Sequence, residues 1–221
     1  MALGLSGVDP TLSSDGGELW FTTVGTPAAL VVSSRVESTY PAAVPPNFGS
    51  PQGDFDAALT ADDQLLAYAS NRSGFGVYQR QRGNGPGVWQ NETLAVSTSF
   101  TGFDMSPDGL TLYLLENGKL RIMKRASRSV KFVSSNILSQ QFATDAEYPT
   151  VSFDEREIIF SVRNGTGGIL LMHAVRAANA IDYGAATALN FGCTDTSDAD
   201  FSHDAMAIVY SCDGQIFIAQ R

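Results

Sequence analysis

The sequence predicts an all-β protein, a five-bladed β-propeller of four-stranded antiparallel blades, and three observations predict it. An aspartate in a turn context recurs at Asp15, Asp62, Asp108, Asp154 and Asp204, with spacings of 47, 46, 46 and 50 residues. Three further columns travel with it. Two residues before stands a hydroxyl (Ser13, Thr60, Ser106, Ser152, Ser202), four after an aliphatic (Leu19, Leu66, Leu112, Ile158, Ile208), and six after a large apolar or aromatic side chain (Phe21, Tyr68, Leu114, Phe160, Tyr210). Finally, no long amphipathic helical stretch occurs, the short run 174–180 being the only helix-like segment. A strand-built unit repeating at roughly 40 to 50 residues reads as propeller blades packed face to face about an axis.

The copy from Tyr148 to Met172 shows the unit most clearly. Thr150 to Ser152 reads as a short strand, Phe153 to Arg156 as a tight turn, Glu157 to Val162 as a second strand and Ile169 to Met172 as a third. Ile158 and Phe160 lie two apart and share a face, as strand alternation requires. Asn164-Gly165 supplies the positive φ angles of a two-residue hairpin, and Asn117-Gly118 and Asp213-Gly214 do the same in blades three and five.

Taken in order, the blades are expected at about 9–47, 54–98, 101–138, 146–191 and 198–221. Four copies carry a further segment after the third strand: Glu37 to Asn47, Trp89 to Ser97, Lys131 to Leu138 and Thr187 to Phe191. Blade five has none. Ala2 to Leu5 is therefore expected to supply its outer strand and close the ring, removing the open edges that invite aggregation. The proline-rich stretch TYPAAVPPNFGSPQG after blade one suits an edge or loop.

Composition narrows the function classes. Fourteen basic and 23 acidic residues give a net charge of −9 over 221 residues, which argues against a nucleic-acid backbone as partner. The basic cluster Lys119, Arg121, Lys124, Arg125, Arg128 and Lys131 fits the exposed edge of blade three. No apolar run long enough to span a membrane and no leader pattern is visible. Cys193 and Cys212 fall at the same end of blade five and can form a disulfide or stand as two buried thiols. The bridge is the reading adopted, and with it an extracytoplasmic location: periplasm, secreted fluid or cell surface.

Ser106-Pro107-Asp108-Gly109 followed by LTLYLLENGKLRIM resembles the TolB-type propeller repeat, as does LTADDQLLAYASNRSGFGVY from Leu59 to Tyr78. The resemblance extends over essentially the whole chain. It implies a propeller but not one activity, because similar repeats occur in translocation proteins, peptidase gating domains and lyases.

The candidate site comes from acidic crowding before each innermost strand. Asp9, Asp54, Asp56, Asp104, Asp145, Glu147, Asp195, Asp198 and Asp200 all precede a repeat hydroxyl by nine residues or fewer. In a propeller such segments surround one mouth of the axial channel, and converging carboxylates there suit Ca²⁺, a cationic peptide or a polar ligand. Asp56, Asp104, Asp198 and Asp200 are the candidate Ca²⁺ ligands, with Asp9 beside them. The simpler account is that each aspartate caps its own loop. Phe55 and Tyr148 are candidate platforms for a sugar or peptide, and Arg72 and Arg163 either reach the mouth or pair with a neighbouring carboxylate.

Ser202-His203-Asp204 is not a triad, because consecutive residues cannot converge on one atom, and His173 lacks a spaced partner for zinc. The sequons at Asn71, Asn91 and Asn164 match a pattern frequent by accident. The expected function is a non-catalytic, monomeric binding module for a protein, peptide or glycan at the acidic mouth. The alternative is a carbohydrate-active hydrolase or lyase using the same carboxylates.

Overall fold

The computed structural model describes all residues except 27, 49–52, 73, 85, 86, 164, 166, 179 and 221, and only the backbone of 134–139. Asn164 of the blade-four hairpin, Ser73 of the blade-two hairpin and parts of the glycine- and proline-rich connectors lie outside the described residues.

Nineteen strands and no helix are present among the described residues. They begin with β1 (Ala2–Ser6), β2 (Val8–Leu12), β3 (Glu18–Thr22) and β4 (Leu30–Ser34). Blade two holds β5 (Asp54–Leu59), β6 (Leu65–Ser70), β7 (Gly76–Arg82) and β8 (Trp89–Val96). Blade three holds β9 (Gly102–Met105), β10 (Thr111–Glu116), β11 (Lys119–Lys124) and β12 (Val133–Gln141). Blade four holds β13 (Glu147–Val151), β14 (Glu157–Arg163), β15 (Ile169–Val175) and β16 (Thr187–Leu189). The last three are β17 (Thr196–Phe201), β18 (Ala207–Cys212) and β19 (Gln215–Gln220).

These strands form five antiparallel sheets, of which blade one is β2-β3-β4 and blade five is β1-β19-β18-β17. The innermost strands touch in a closed cycle, β2 to β5, β5 to β9, β9 to β13, β13 to β17 and β17 back to β2. Five sheets around one axis therefore complete the ring. The closure is made by β1, whose Ala2 and Ser6 pair with Phe217 and Gln215 of β19, while Leu5 is buried in the core shared with blade one. In blade one the fourth strand is reduced to a bridge at Val44, which exchanges two 2.9 Å backbone hydrogen bonds with Val32. Pro41, Pro45 and Pro46 around it carry no N–H and cannot extend that ladder.

Two of the four sequence columns, the hydroxyl and the turn aspartate, have one physical origin. In every blade the hydroxyl donates to the turn aspartate, from Ser13 to Asp15, Thr60 to Asp62, Ser106 to Asp108, Ser152 to Asp154 and Ser202 to Asp204, at 2.6 to 2.8 Å. The same oxygen accepts the backbone N–H that opens the second strand, at Glu18, Leu65, Thr111, Glu157 and Ala207. The turn carboxylate in turn accepts the N–H two residues on, at Gly17, Gln64, Leu110, Arg156 and Met206. Each hairpin is thus clasped by a side-chain pair that satisfies otherwise orphaned backbone donors.

The aliphatic and aromatic columns are buried, Leu19, Leu66, Leu112 and Ile158 completely. They fall into five clusters, each shared by two consecutive blades, including one across the seam between blades five and one. Cys193, in the segment leading into β17, and Cys212, at the end of β18, are bonded, with their Cα atoms 5.7 Å apart.

Candidate binding site in the axial channel

Most of the acidic residues lie in the innermost strands themselves, and only Asp145 and Asp195 stand in the loops before them. Asp9 is in β2, Asp56 in β5, Asp104 in β9, and Asp198 and Asp200 in β17. Counting back from the turn aspartate, the position six residues earlier is Asp9, Asp56, Gly102, Tyr148 and Asp198 in blades one to five. At each of these φ is positive, 51°, 50°, 156°, 49° and 48° respectively. In blades one, two, four and five the pairing register slips at this point, the mark of a β-bulge. Aspartate tolerates the left-handed region better than most residues, which accounts for its use in three of the five copies. In blade three only glycine fits, because a Cβ on Gly102 would stand 2.5 Å from the Cα and N of Tyr148.

The bulges bring the carboxylates around the axis in two tiers. The upper tier is Asp9, Asp56 and Asp198 with Tyr148. Two residues further along each strand lies the lower tier, Asp104 and Asp200 with the hydroxyls of Thr11 and Thr150. Several of these groups stitch one blade to the next. Asp56 Oδ2 accepts the Phe103 N–H at 3.2 Å, and Asp104 Oδ2 accepts the Val151 N–H at 2.7 Å. Asp200 accepts the Thr11 hydroxyl at 2.5 Å, the Leu12 N–H at 3.3 Å and the Thr150 hydroxyl at 3.0 Å. The bulge amides of Asp56 and Asp198 donate to Thr22 and Ser161 of the preceding blade. Capping of backbone donors is real here and runs largely between blades, although Asp104 Oδ1 also accepts the N–H of its own neighbour Met105 at 2.6 Å.

Two oxygens are left over. Oδ1 of Asp9 and Oδ1 of Asp198 are buried and have no hydrogen-bond partner among the described residues. Burial, and then the charge of Asp56, lift the Asp9 carboxyl to about 7. Burial, and then the charge of Asp200, lift Asp104 to about 8. Asp56, Asp198 and Asp200 are raised too, in each case chiefly by burial. Burial and the surrounding carboxylates, Asp9 first, likewise push the Tyr148 hydroxyl up.

The channel holds two small spaces. One of about 20 Å³ is lined by Asp9, Asp56, Tyr148 and Asp198 above Asp104 and Asp200. The other, about 60 Å³, shares Asp104 and Asp200 as its floor and opens on the hairpin face. Its rim is the residue preceding each turn aspartate: Ser14, Ala61, Pro107, Phe153 and His203. A water needs roughly 10 to 15 Å³, so the inner space takes a water or one ion and no sugar ring. Among the described residues, no group of three or more His, Cys, Asp or Glu is disposed to hold a metal ion.

The other expected site residues lie away from the axis. Phe55 packs in the core between blades two and three, tilted against Phe75 with centroids 6.0 Å apart. Arg72 is bound to Asp54 and Glu92, each at 2.5 Å. Arg163 lies 3.9 Å from Glu147. Of the basic cluster on blade three, Arg121 pairs with Glu116 and Arg128 with Asp62, while Arg125 is buried. The rings of the rim residues Phe153 and His203 stand 4.3 Å apart, and neither residue type on its own marks a site. The column preceding the turn aspartate was the available signal, since a fixed place in a radial repeat is a fixed distance from the axis.

Comparison with known proteins supports the fold. No family profile matches the chain, and no curated protein matches its sequence. Among solved structures, TolB from Acinetobacter baumannii superposes with a TM-score of 0.56 at 16% identity over 94% of this chain and 51% of that one. A functionally unknown protein from Desulfotomaculum acetoxidans gives a TM-score of 0.52 at 14% identity over 100% of this chain and 67% of the other. The chain thus spans about half the length of the TolB structure and shares the fold of that part. No helix among the described residues is long and apolar enough to cross a membrane.

Proposed function

We propose that the protein is a non-catalytic interaction module that recognises a peptide or protein segment by drawing a cationic group into the hairpin-face mouth of its axial channel. The observation that carries this is the mouth itself: an open space with Phe153 and His203 on its rim and the carboxyls of Asp104 and Asp200 as its floor. A bound ammonium or guanidinium group offers donors to that floor and displaces the proton that burial keeps on Asp104 near neutral pH, while the aromatic rim favours its approach. The superposition on TolB is compatible with a protein-interaction role and does not identify a partner.

Ca²⁺ is the metal form of the same proposal, with the Asp9 and Asp198 carboxyls that line the inner space giving up their protons to it and water completing a shell of about six to eight oxygens. A glycan is the third ligand class, held across the rim. The Cys193–Cys212 bond fits an oxidising, extracytoplasmic compartment.

Calorimetric titration with CaCl₂, a lysine-bearing peptide set and a glycan array separates the three. Binding of the lysine peptides that weakens about ten-fold or more in Phe153→Ala supports the reading. Binding indifferent to Phe153→Ala and His203→Ala sinks it.

A further inference from the structure

On the hairpin face the residue after each turn aspartate has positive φ in all five blades: Gly16, Asp63, Gly109, Glu155 and Ala205. In two copies its side chain reaches back over the seam to the preceding blade. Asp63 accepts the N–H and hydroxyl of Ser14 at 2.9 and 2.6 Å, and Glu155 accepts the hydroxyl of Tyr113. Where blade three has Gly109, Arg128 closes the seam instead, bonding Asp62 at 2.7 Å and the Asp108 carbonyl at 2.8 Å. Between blades four and five the Phe153 and His203 rings meet.

Blade one has Gly16 at this place, and the seam towards blade five opens. The result is a groove of about 450 Å³, with Asp15, Arg35 and Tyr40 on one wall and His203, Met206 and Gln220 on the other. Below it the core shared by the two blades is intact. Leu12, Ser14, Ser202 and His203 border both the groove and the channel mouth, so the two are continuous. Its size lies within the roughly 300 to 1,000 Å³ of ligand clefts, whereas the channel spaces do not.

We propose that this seam is the bed for an extended peptide carrying a lysine or arginine, whose cationic side chain turns into the mouth above Asp104 and Asp200. The inference rests on the reading of the mouth as a peptide site and adds where the rest of the peptide lies. Charge favours it. Hydrogen bonds from their own turns hold Asp15 and Asp204 below the ordinary carboxylate range, so both flank the groove ionised. Arg35 is the positive group facing them, and its guanidinium donates to the Asp15 carbonyl at 3.3 Å. Met206, 59% exposed, and the Tyr40 ring offer the apolar contact that peptide side chains need.

The repeat itself supplies the test. Gly16→Asp copies Asp63, and by the same geometry its carboxylate would accept the His203 N–H and bridge the groove. The nearest atom to a Cβ there is the flexible end of Arg35, at 3.3 Å. Gly16→Ala copies Ala205 and leaves the groove open. The probe is a set of fluorescein-labelled alanine/leucine hexapeptides with one central lysine, beside a matched glutamate set, read by anisotropy.

The wild-type protein should favour the lysine set by about ten-fold or more, and Gly16→Asp should weaken that binding by about ten-fold while Gly16→Ala stays within about two-fold. Met206→Lys, on the opposite wall and exposed, should give the same loss without relying on position 16. If Gly16→Asp and Met206→Lys bind as wild type while Phe153→Ala weakens, the groove is wrong and the mouth stands. If Phe153→Ala is also silent, or lysine and glutamate peptides bind alike or not at all, the mouth reading fails and takes the groove with it.

Discussion

The hairpin that opens each blade depends on one oxygen that accepts a backbone N–H and donates to a carboxylate. Ser106 is a clear instance, buried and bonded to both Thr111 N–H and Asp108. Ser106→Ala leaves that buried amide unpaired and should cost about 1 to 3 kcal/mol in urea unfolding. Gly102→Ala should cost a similar amount, about 1 to 3 kcal/mol, because its methyl would enter the Tyr148 backbone. The clasp residues were legible in the sequence because the same two letters recur at one offset. The axial aspartates were legible as a group but not in their placement. Alternation along an ordinary strand does not foresee a bulge, and the bulge at Asp9, Asp56 and Asp198 is what turns those carboxyls inward. Phe55 shows the complementary error: one residue before a bulge, it faces the blade interior.

At the level of elements, blade five is the weak point and is held in two ways. β1 supplies its outer strand, with the Ile218 N–H bonded to the Met1 carbonyl at 2.9 Å and Leu5 buried. Removing residues 1–6 should lower the melting temperature by many degrees, and an unchanged calorimetric transition would show that the ring does not need this strand. The Cys193–Cys212 bond closes a loop of 19 residues, and Cys193→Ser should cost about 3 kcal/mol by the loop-entropy account. The ring closure was readable because one copy lacked its fourth segment. The near-loss of the fourth strand in blade one was readable only as a proline-rich stretch, since prolines say where a ladder fails and not where a single bridge survives.

For the whole molecule, the two sets of aspartates pull stability in opposite directions with pH. Turn carboxyls such as Asp15 and Asp154 are held below their ordinary value by hydrogen bonds, so their contribution is present above about pH 4 and is lost on further acidification. The axial carboxyls are raised. They keep their protons in the folded state while the unfolded chain has already lost them, so stability falls as pH climbs from about 4, through about 7 for Asp9 and about 8 for Asp104. Thermal unfolding should therefore show its highest midpoint on the acid side of neutrality and decline towards pH 8. Asp9→Asn should flatten that decline, and a midpoint that rises from pH 5 to pH 8 would contradict the burial of these groups. The hairpin clasps also separate what must be uniform from what can vary. Because every blade is fastened by its own serine or threonine and aspartate, the lumen-facing places six residues upstream carry Asp, Asp, Gly, Tyr and Asp without disturbing the scaffold. Blade three's glycine apart, they amount to a short register, and rewriting one character at a time would retune what the pore prefers while the frame that displays it stays the same.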